Sequence, residues 1–231
     1  MIFDYIDFIL GSYSLSAKGT SNMIRKTIIL VIACFLMGNK NTGLVNINQI
    51  DDVVEVSQAS DPNFESIDDH NHYIHLMADE LGVEYSDLFS LIVFETAGTM
   101  DPKITNPHSG ARGLLQFTNS TARTLKNRKG KYLSNAIALV NEYPTFKEQM
   151  ELPTHENRHG GPVYQYLARS KPYANRRELF LTVFYPSAIK WSDDREFPPG
   201  VQKINPGIVT VGDYVAQVDN LVKFTEEKIY D

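Results

Sequence analysis

The sequence predicts a mainly α-helical domain with at most a short β-hairpin. Three observations indicate this. Apolar residues recur at helical spacing in several segments, and no stretch has the alternating pattern of longer paired strands. The third is size, because 231 residues with 42% hydrophobic content can bury one sizeable core. We expect an N-terminal segment with a hydrophobic run at 1–38, a linker at 39–68 and the helical domain at 69–231.

The N-terminal segment contains an uncharged, largely apolar run at 27–38, directly after Arg25 and Lys26. Its length suits the hydrophobic region of a signal peptide and falls short of the roughly 20 residues that span a bilayer. We therefore expect export, with the run either cleaved or kept as a membrane tether; a buried core helix is the alternative. Met23 stands just before the charged pair, and this pattern favours it as the start of translation.

Cys34 is the only cysteine, so no internal disulfide is predicted and the redox compartment stays open. The string Val31-Ile32-Ala33-Cys34 resembles a bacterial lipobox, which would make Cys34 a lipidated anchor. The apolar residues that follow it favour instead an ordinary member of an export segment.

The linker at 39–68 is rich in Asn, Gly, Ser and acidic residues, as expected for a tether. The helical domain opens near Asp68 and Asp69, which can cap a first helix that ends at Gly82. Apolar residues at helical spacing support this helix, namely Tyr73, Ile74, Leu76, Met77 and Leu81.

A second helix is predicted to be buried on most of its surface, because 88–94 is almost entirely apolar, and to end at Gly98. Glu95 then lies at the rim of a core. Burial and the negative end of the helix dipole both raise the pKa of a carboxyl group, and a protonated carboxyl can act as a general acid. The alternative is a glutamate that frays into solvent at a helix end.

The later helices follow from the same periodicity and from capping residues. We predict them at 118–126, 132–142, 145–152, 163–167, 177–185 and 211–228. The one predicted hairpin lies near Gly113 and Phe117.

Three short motifs in this order resemble those of the SLT-type lytic transglycosylases, which have a goose-lysozyme-like fold. They are Glu95-Thr96-Ala97-Gly98, Gly113-Leu114-Leu115-Gln116-Phe117 followed by Thr121-Ala122, and Phe184-Tyr185-Pro186-Ser187-Ala188. The chain most closely resembles members found in bacteriophage tail and internal proteins, because the segment Asn205-Pro206-Gly207-Ile208 is similar to the end of those members. The resemblance to the family covers roughly 69–219.

The resemblance implies that Glu95 is the single catalytic acid and base. It also implies a substrate cleft formed by Thr96, Gly98, Gly113, Leu115, Gln116, Tyr164 and Tyr185. The residue types suit these roles, because glycines let the backbone approach a ligand closely and a glutamine amide complements acetamido and hydroxyl groups.

The implied activity is cleavage of the β-1,4 bond between N-acetylmuramic acid and N-acetylglucosamine in peptidoglycan strands, with formation of 1,6-anhydro ends. A hydrolytic lysozyme is the alternative if Asp101 or another carboxylate also faces the cleft. A third reading is a non-catalytic wall-binding or structural phage protein on the same scaffold. The expected place of action is the cell envelope, in the periplasm or at the outer-membrane side, or else the virion, with a phage tail or envelope-spanning assembly as partner.

The net charge of -6, from 22 basic and 28 acidic residues, gives no drive toward nucleic acid, and none is expected as a partner. His155, Glu156 and His159 lack the order of a zinc-binding helix and precede a glycine-rich loop. Ile208-Val209-Thr210-Val211 stands where phage relatives carry a calcium loop. The sequence therefore predicts no metal and no cofactor.

Overall fold

The computed structural model describes residues 67–107 and 109–229. The expectations for the N-terminal segment, the tether at 27–38, Cys34 and residues 39–66 of the linker lie outside the described residues. Within them, a helix already begins at Ile67.

The described part of the chain is mainly helical, which confirms the predicted class. Its nine α-helices are α1 (Ile67–Leu81), α2 (Tyr85–Glu95), α3 (Asn119–Ala122), α4 (Ala136–Glu142), α5 (Phe146–Gln149), α6 (Pro162–Leu167), α7 (Arg176–Phe184), α8 (Pro199–Ile204) and α9 (Val211–Ile229). A 3-10 helix spans Pro186–Ala188. None of these described helices has the length and apolar character needed to cross a membrane.

Pairing between strands is limited, within the described ranges, to isolated antiparallel bridges. The bridge between Arg112 and Phe117 takes the place of the predicted hairpin. Arg112 N donates to Phe117 O at 3.1 Å, and Phe117 N donates to Arg112 O at 2.8 Å. This pair closes a tight loop around Gly113.

Three predicted helices are shorter than expected, for local reasons. The helix at 118–126 ends at Ala122, because the amides of Thr124 and Leu125 bond three residues back rather than four. The helix at 132–142 begins only after Asn135, whose side chain accepts from Ala138 N. The helix at 145–152 ends at Gln149 after a capping box at Thr145.

The periodicity of the sequence predicts neither α8 nor the 3-10 helix, both of which begin at a proline. The predictions for α6, α7 and α9 agree with the structure to within one residue at each end.

Helix α2 lies at the centre of the core, packed against α1 on one side and α9 on another. Its residues Leu88, Leu91 and Ile92 are fully buried, as the nearly continuous apolar run predicted. A helix buried on most sides has no polar face to orient it, so its position is set by its neighbours. This fixes the end of α2, and with it Glu95, inside the domain.

Candidate active site

Glu95 is the last residue of α2, and the chain turns sharply after it. Gly98 N donates to Val93 O at 2.7 Å, and Thr96 N donates to Ile92 O at 3.0 Å, which closes the helix end. Gly98 has φ 78° and Ala97 has φ 49°, so two residues in the left-handed region redirect the chain. The turn fixes the backbone of Glu95 and directs the following residues away.

The carboxyl group of Glu95 lies in an apolar environment. The side chain keeps some accessible surface, whereas protein atoms crowd the carboxyl group itself. This burial alone raises the pKa of Glu95 from 4.5 to about 7. At neutral pH both protonation states are therefore populated, as a group that donates and then accepts a proton requires.

Two tyrosines from other helices lie close enough to Glu95 to feel its charge. Burial raises the pKa of Tyr166 and of Tyr214, and the negative charge of Glu95 raises both further. Neither hydroxyl is bonded to Glu95. Tyr166 Oη donates to Thr182 O at 2.9 Å and Tyr214 Oη to Phe180 O at 3.4 Å, so both are anchored to α7.

Tyr164, the tyrosine of α6 singled out from the sequence, has different neighbours. A Cβ added to Gly160 would lie 3.0 Å from its ring, and Lys171 Nζ lies 5.8 Å from the ring centre. Tyr164 and Tyr166 flank the buried stripe of α6 on opposite sides, each about 80° from it on an ideal helix. Periodicity could not decide which of them faces Glu95.

Gln116 offers an acceptor without a partner. Its Nε2 donates to Gly113 O at 3.1 Å, while its Oε1 is buried and accepts no hydrogen bond. The residue itself has φ 47°, a backbone conformation that residues other than glycine rarely adopt. Leu115 beside it is only 3% exposed and packs into the core. Gln116 thus has an acceptor that is unused and buried.

Thr96 is engaged within its own turn. It is fully buried, its Oγ1 donates to Ile92 O at 2.7 Å, and this Oγ1 accepts from Met100 N at 3.1 Å. Contact with a substrate would require this hydroxyl to leave both bonds. Thr96 therefore holds the turn after Glu95 in the described structure.

Tyr185 closes the end of α7 and belongs to an aromatic cluster. Its ring centre lies 5.6 Å from that of Trp191 and 5.7 Å from that of Phe197. Phe184 connects this cluster to the neighbourhood of Glu95, because it stacks on Tyr214 at 4.2 Å and meets Phe197 edge-on at 5.3 Å. Tyr185 is thus separated from the surroundings of Glu95 by the packed rings of Phe197, Phe184 and Tyr214.

Among the residues that the structure describes, no second carboxylate contributes to the raised pKa of Glu95. Asp101 is exposed, and its Oδ1 accepts from Lys103 N at 2.8 Å within its own turn. Among the described residues there is no group of three or more His, Cys, Asp or Glu side chains placed to hold a metal ion.

None of these predicted site residues lines the open cavity of about 210 Å³. Its lining comes from 128–130, 155–156 and 158–159. It has a basic appearance, but Arg128 pairs with Glu148 at 3.3 Å and with Glu151 at 3.0 Å. The charge of Arg128 is therefore already balanced.

Gly113→Ala is expected to lower the free energy of unfolding by about 2–4 kcal/mol. Gly113 has φ 80°, and an added Cβ would lie 2.8 Å from Gln149 Oε1. Gly110→Ala is the matched control, because Gly110 has φ 70° but nothing within 4 Å of its added Cβ. Urea denaturation measures both variants; equal losses would show that Gln149 moves aside without penalty.

The raised pKa of Glu95 predicts that Glu95→Gln stabilises the protein at alkaline pH. Folding favours the protonated acid, so wild-type stability falls as pH rises from 4.5 to about 7 and then stays lower. A neutral glutamine escapes this loss, and we expect a gain of up to about 3 kcal/mol at pH 8 and almost none at pH 4. Denaturation at both pH values measures it, with exposed Glu156→Gln as control. An equal gain at both pH values would contradict a buried, titrating carboxyl.

The structure thus brings Glu95 together with Tyr166 and Tyr214, which the sequence reading did not select. It places Gln116 in a strained loop with a free acceptor and Tyr185 in an adjoining aromatic cluster. No protein-family model matches the chain, and neither a curated protein nor a solved structure shows significant similarity to it.

Proposed function

We propose that the protein is a peptidoglycan lytic transglycosylase with a lysozyme-like domain, in which Glu95 is the single acid and base. One observation carries this proposal. Glu95 ends a buried helix, its carboxyl has a pKa of about 7, and burial alone is the cause. The short motifs around Glu95, Gln116 and Tyr185 supply the substrate class.

The reaction needs one carboxyl group used twice. Protonated Glu95 donates its proton to the oxygen that joins C1 of N-acetylmuramic acid to the next N-acetylglucosamine, and the C1–O bond breaks. The acetamido oxygen of the same muramic residue stabilises the positive charge at C1. Ionised Glu95 then takes the proton of the C6 hydroxyl as that oxygen bonds to C1, which closes the 1,6-anhydro ring. Glu95 ends protonated, and no water is consumed.

The lack of a charged neighbour of Glu95 within the described ranges supports this route over a paired-carboxylate mechanism. Ordinary glycosidases place a second carboxylate about 5–10 Å from the acid. Among the described residues no acidic side chain alters the pKa of Glu95, and Asp101 is bound within its own turn. The substrate's own acetamido group would therefore take the second role.

Binding of the sugar would rest on hydrogen bonds and ring contacts. The Oε1 of Gln116 accepts no hydrogen bond but is buried, so it would have to become accessible before it could accept from an acetamido N–H or a hydroxyl group. The half-buried rings of Tyr185 and Trp191 offer apolar faces to a pyranose. The apolar run at 27–38 would direct the protein to the envelope or tether it there, where it opens the wall locally for a phage or an envelope-spanning assembly.

The deciding experiment is mass spectrometry of muropeptides released from purified peptidoglycan by the whole chain. Muropeptides with 1,6-anhydro ends support the transglycosylase. Reducing ends would instead indicate a hydrolytic lysozyme that uses water as acceptor. If no fragment is released while the protein still binds the polymer, the non-catalytic wall-binding role replaces both.

A further inference from the structure

Arg176, the first residue of α7, lies among three carboxylates from two other helices. Its Nε is 3.1 Å from Asp87 Oδ1 of α2. One terminal nitrogen, Nη1, is 3.7 Å from Asp219 Oδ1 of α9, and the other, Nη2, is 3.7 Å from Glu226 Oε1 of α9. The Asp87 oxygen accepts no aligned hydrogen bond, so this contact is an ion pair. Asp87 is buried, whereas its partners are only partly covered.

The same two helices, α2 and α7, are also linked near the candidate site, through Tyr166 and Tyr214. Asp87 and Glu95 are eight residues apart, as are Arg176 and Phe184, and each interval is about 12 Å of helix. Further along α7, the carbonyls of Phe180 and Thr182 accept the hydroxyls of Tyr214 and Tyr166, the two tyrosines that lie near Glu95. Both helices therefore begin at the ionic cluster; α2 ends at Glu95, and α7 holds the tyrosines near it.

We propose that Arg176 is a positioning residue for Glu95. By pairing with Asp87 it fixes the register of α7 against α2. The register of α7 places the carbonyls of Phe180 and Thr182, and these hold the two tyrosine rings that shield the Glu95 carboxyl from water. This rests on the proposed role of Glu95, because positioning matters only if that carboxyl reacts.

The charges around Asp87 favour Arg176 as the residue that joins these helices. The pKa of Asp87 is raised to about 6 as the net result of several causes: burial raises it most, Arg176 lowers it, and Glu226, Glu84 and Asp219 raise it. Arg176 is thus the cation that offsets the nearby acids on the described helices α2 and α9. Lysine could not replace it fully, because one ammonium group cannot span three carboxylates as the guanidinium fork does.

The test is the pKa of Glu95 in Arg176→Gln, measured on the whole chain by carbon-13 NMR of the glutamate carboxyl groups. Glu95→Gln identifies the signal by its loss. Removing a positive charge some 12 Å away along α2 would by itself raise the pKa of Glu95 slightly. A slipped α7 lets water reach the carboxyl, and the pKa then falls by about one pH unit or more. The fall supports the proposal; no change or a rise overturns it.

Arg176→Lys serves if the glutamine variant does not fold. It keeps the charge but loses the fork, so a lower pKa of Glu95 in this variant again supports positioning, and an unchanged pKa overturns it. Exposed Arg158→Gln is the control for loss of a positive charge and is expected to leave the pKa unchanged.

Muropeptide release separates this inference from the proposed function. If the wild-type protein releases no muropeptides, the proposed function fails, whereas a lower Glu95 pKa in Arg176→Gln would still show that Arg176 keeps water from that carboxyl. Normal release with an unshifted pKa in Arg176→Gln would leave the enzyme and remove the positioning role.

Discussion

Glu95→Gln is expected to lower the rate of muropeptide release by about 10²–10⁴-fold. The amide has nearly the shape of the acid, but it can neither donate a proton to the bridging oxygen nor take one from the C6 hydroxyl. Retained substrate binding is expected, because the replacement removes no charge from the protonated form. Rates of release from purified peptidoglycan, together with sedimentation binding to the same polymer, measure the two effects separately.

The pH dependence of the wild-type rate provides an independent check. Only protonated Glu95 can start the reaction, so the rate is expected to fall as pH rises above about 7. The exposed Glu156→Gln variant serves as the matched control, with unchanged rate and profile. Activity retained in Glu95→Gln, or a profile flat from pH 6 to 9, would remove Glu95 from the mechanism.

Gln149→Ala is expected to cost about 3–5 kcal/mol of stability, the largest loss predicted for a single residue here. The side chain is fully buried and joins three segments. Its Oε1 accepts from Leu114 N at 3.0 Å, and its Nε2 donates to Pro102 O at 2.6 Å and to Tyr143 O at 3.0 Å. Truncation leaves a backbone amide and two carbonyls without partners and opens a cavity.

Gln202→Ala is the control for this loss, because the half-buried Gln202 amide makes a single bond, to Phe197 O at 2.6 Å. We expect about 1 kcal/mol for it. Denaturant titration of both variants compares them directly. Comparable losses would mean that the loop around Gly113 reorganises to satisfy its own backbone groups without Gln149.

The parts of the fold that the sequence predicted correctly are those with local causes. The apolar run before Glu95 predicts a buried helix with an acid at the rim of the core, and the desolvated carboxyl with a pKa of about 7 agrees with this. The same holds for α6, α7 and α9, whose starts are marked by Pro162, Asn175 and Thr210.

The parts that the sequence did not predict depend on contacts between distant segments. The side chain of Gln149 forms hydrogen bonds with Leu114 and Pro102, which are 35 and 47 residues away. Nothing in the sequence around Gln149 distinguishes it from any other glutamine. Tyr214 lies near Glu95 because α9 packs on α2, and α7 receives its hydroxyl. Likewise, only the packing of α6 decides between Tyr164 and Tyr166.

The three described non-glycine residues with positive φ are Ala97, Met100 and Gln116, and all lie in the chain between Glu95 and Phe117. Each such conformation costs about 1–2 kcal/mol for an L-residue, so this stretch would not adopt its shape as an isolated peptide. The finished core imposes it. A partly folded state with formed helices but loose packing would therefore contain every residue of the candidate site without its arrangement. If the proposed function is correct, muropeptide release would then report complete tertiary order.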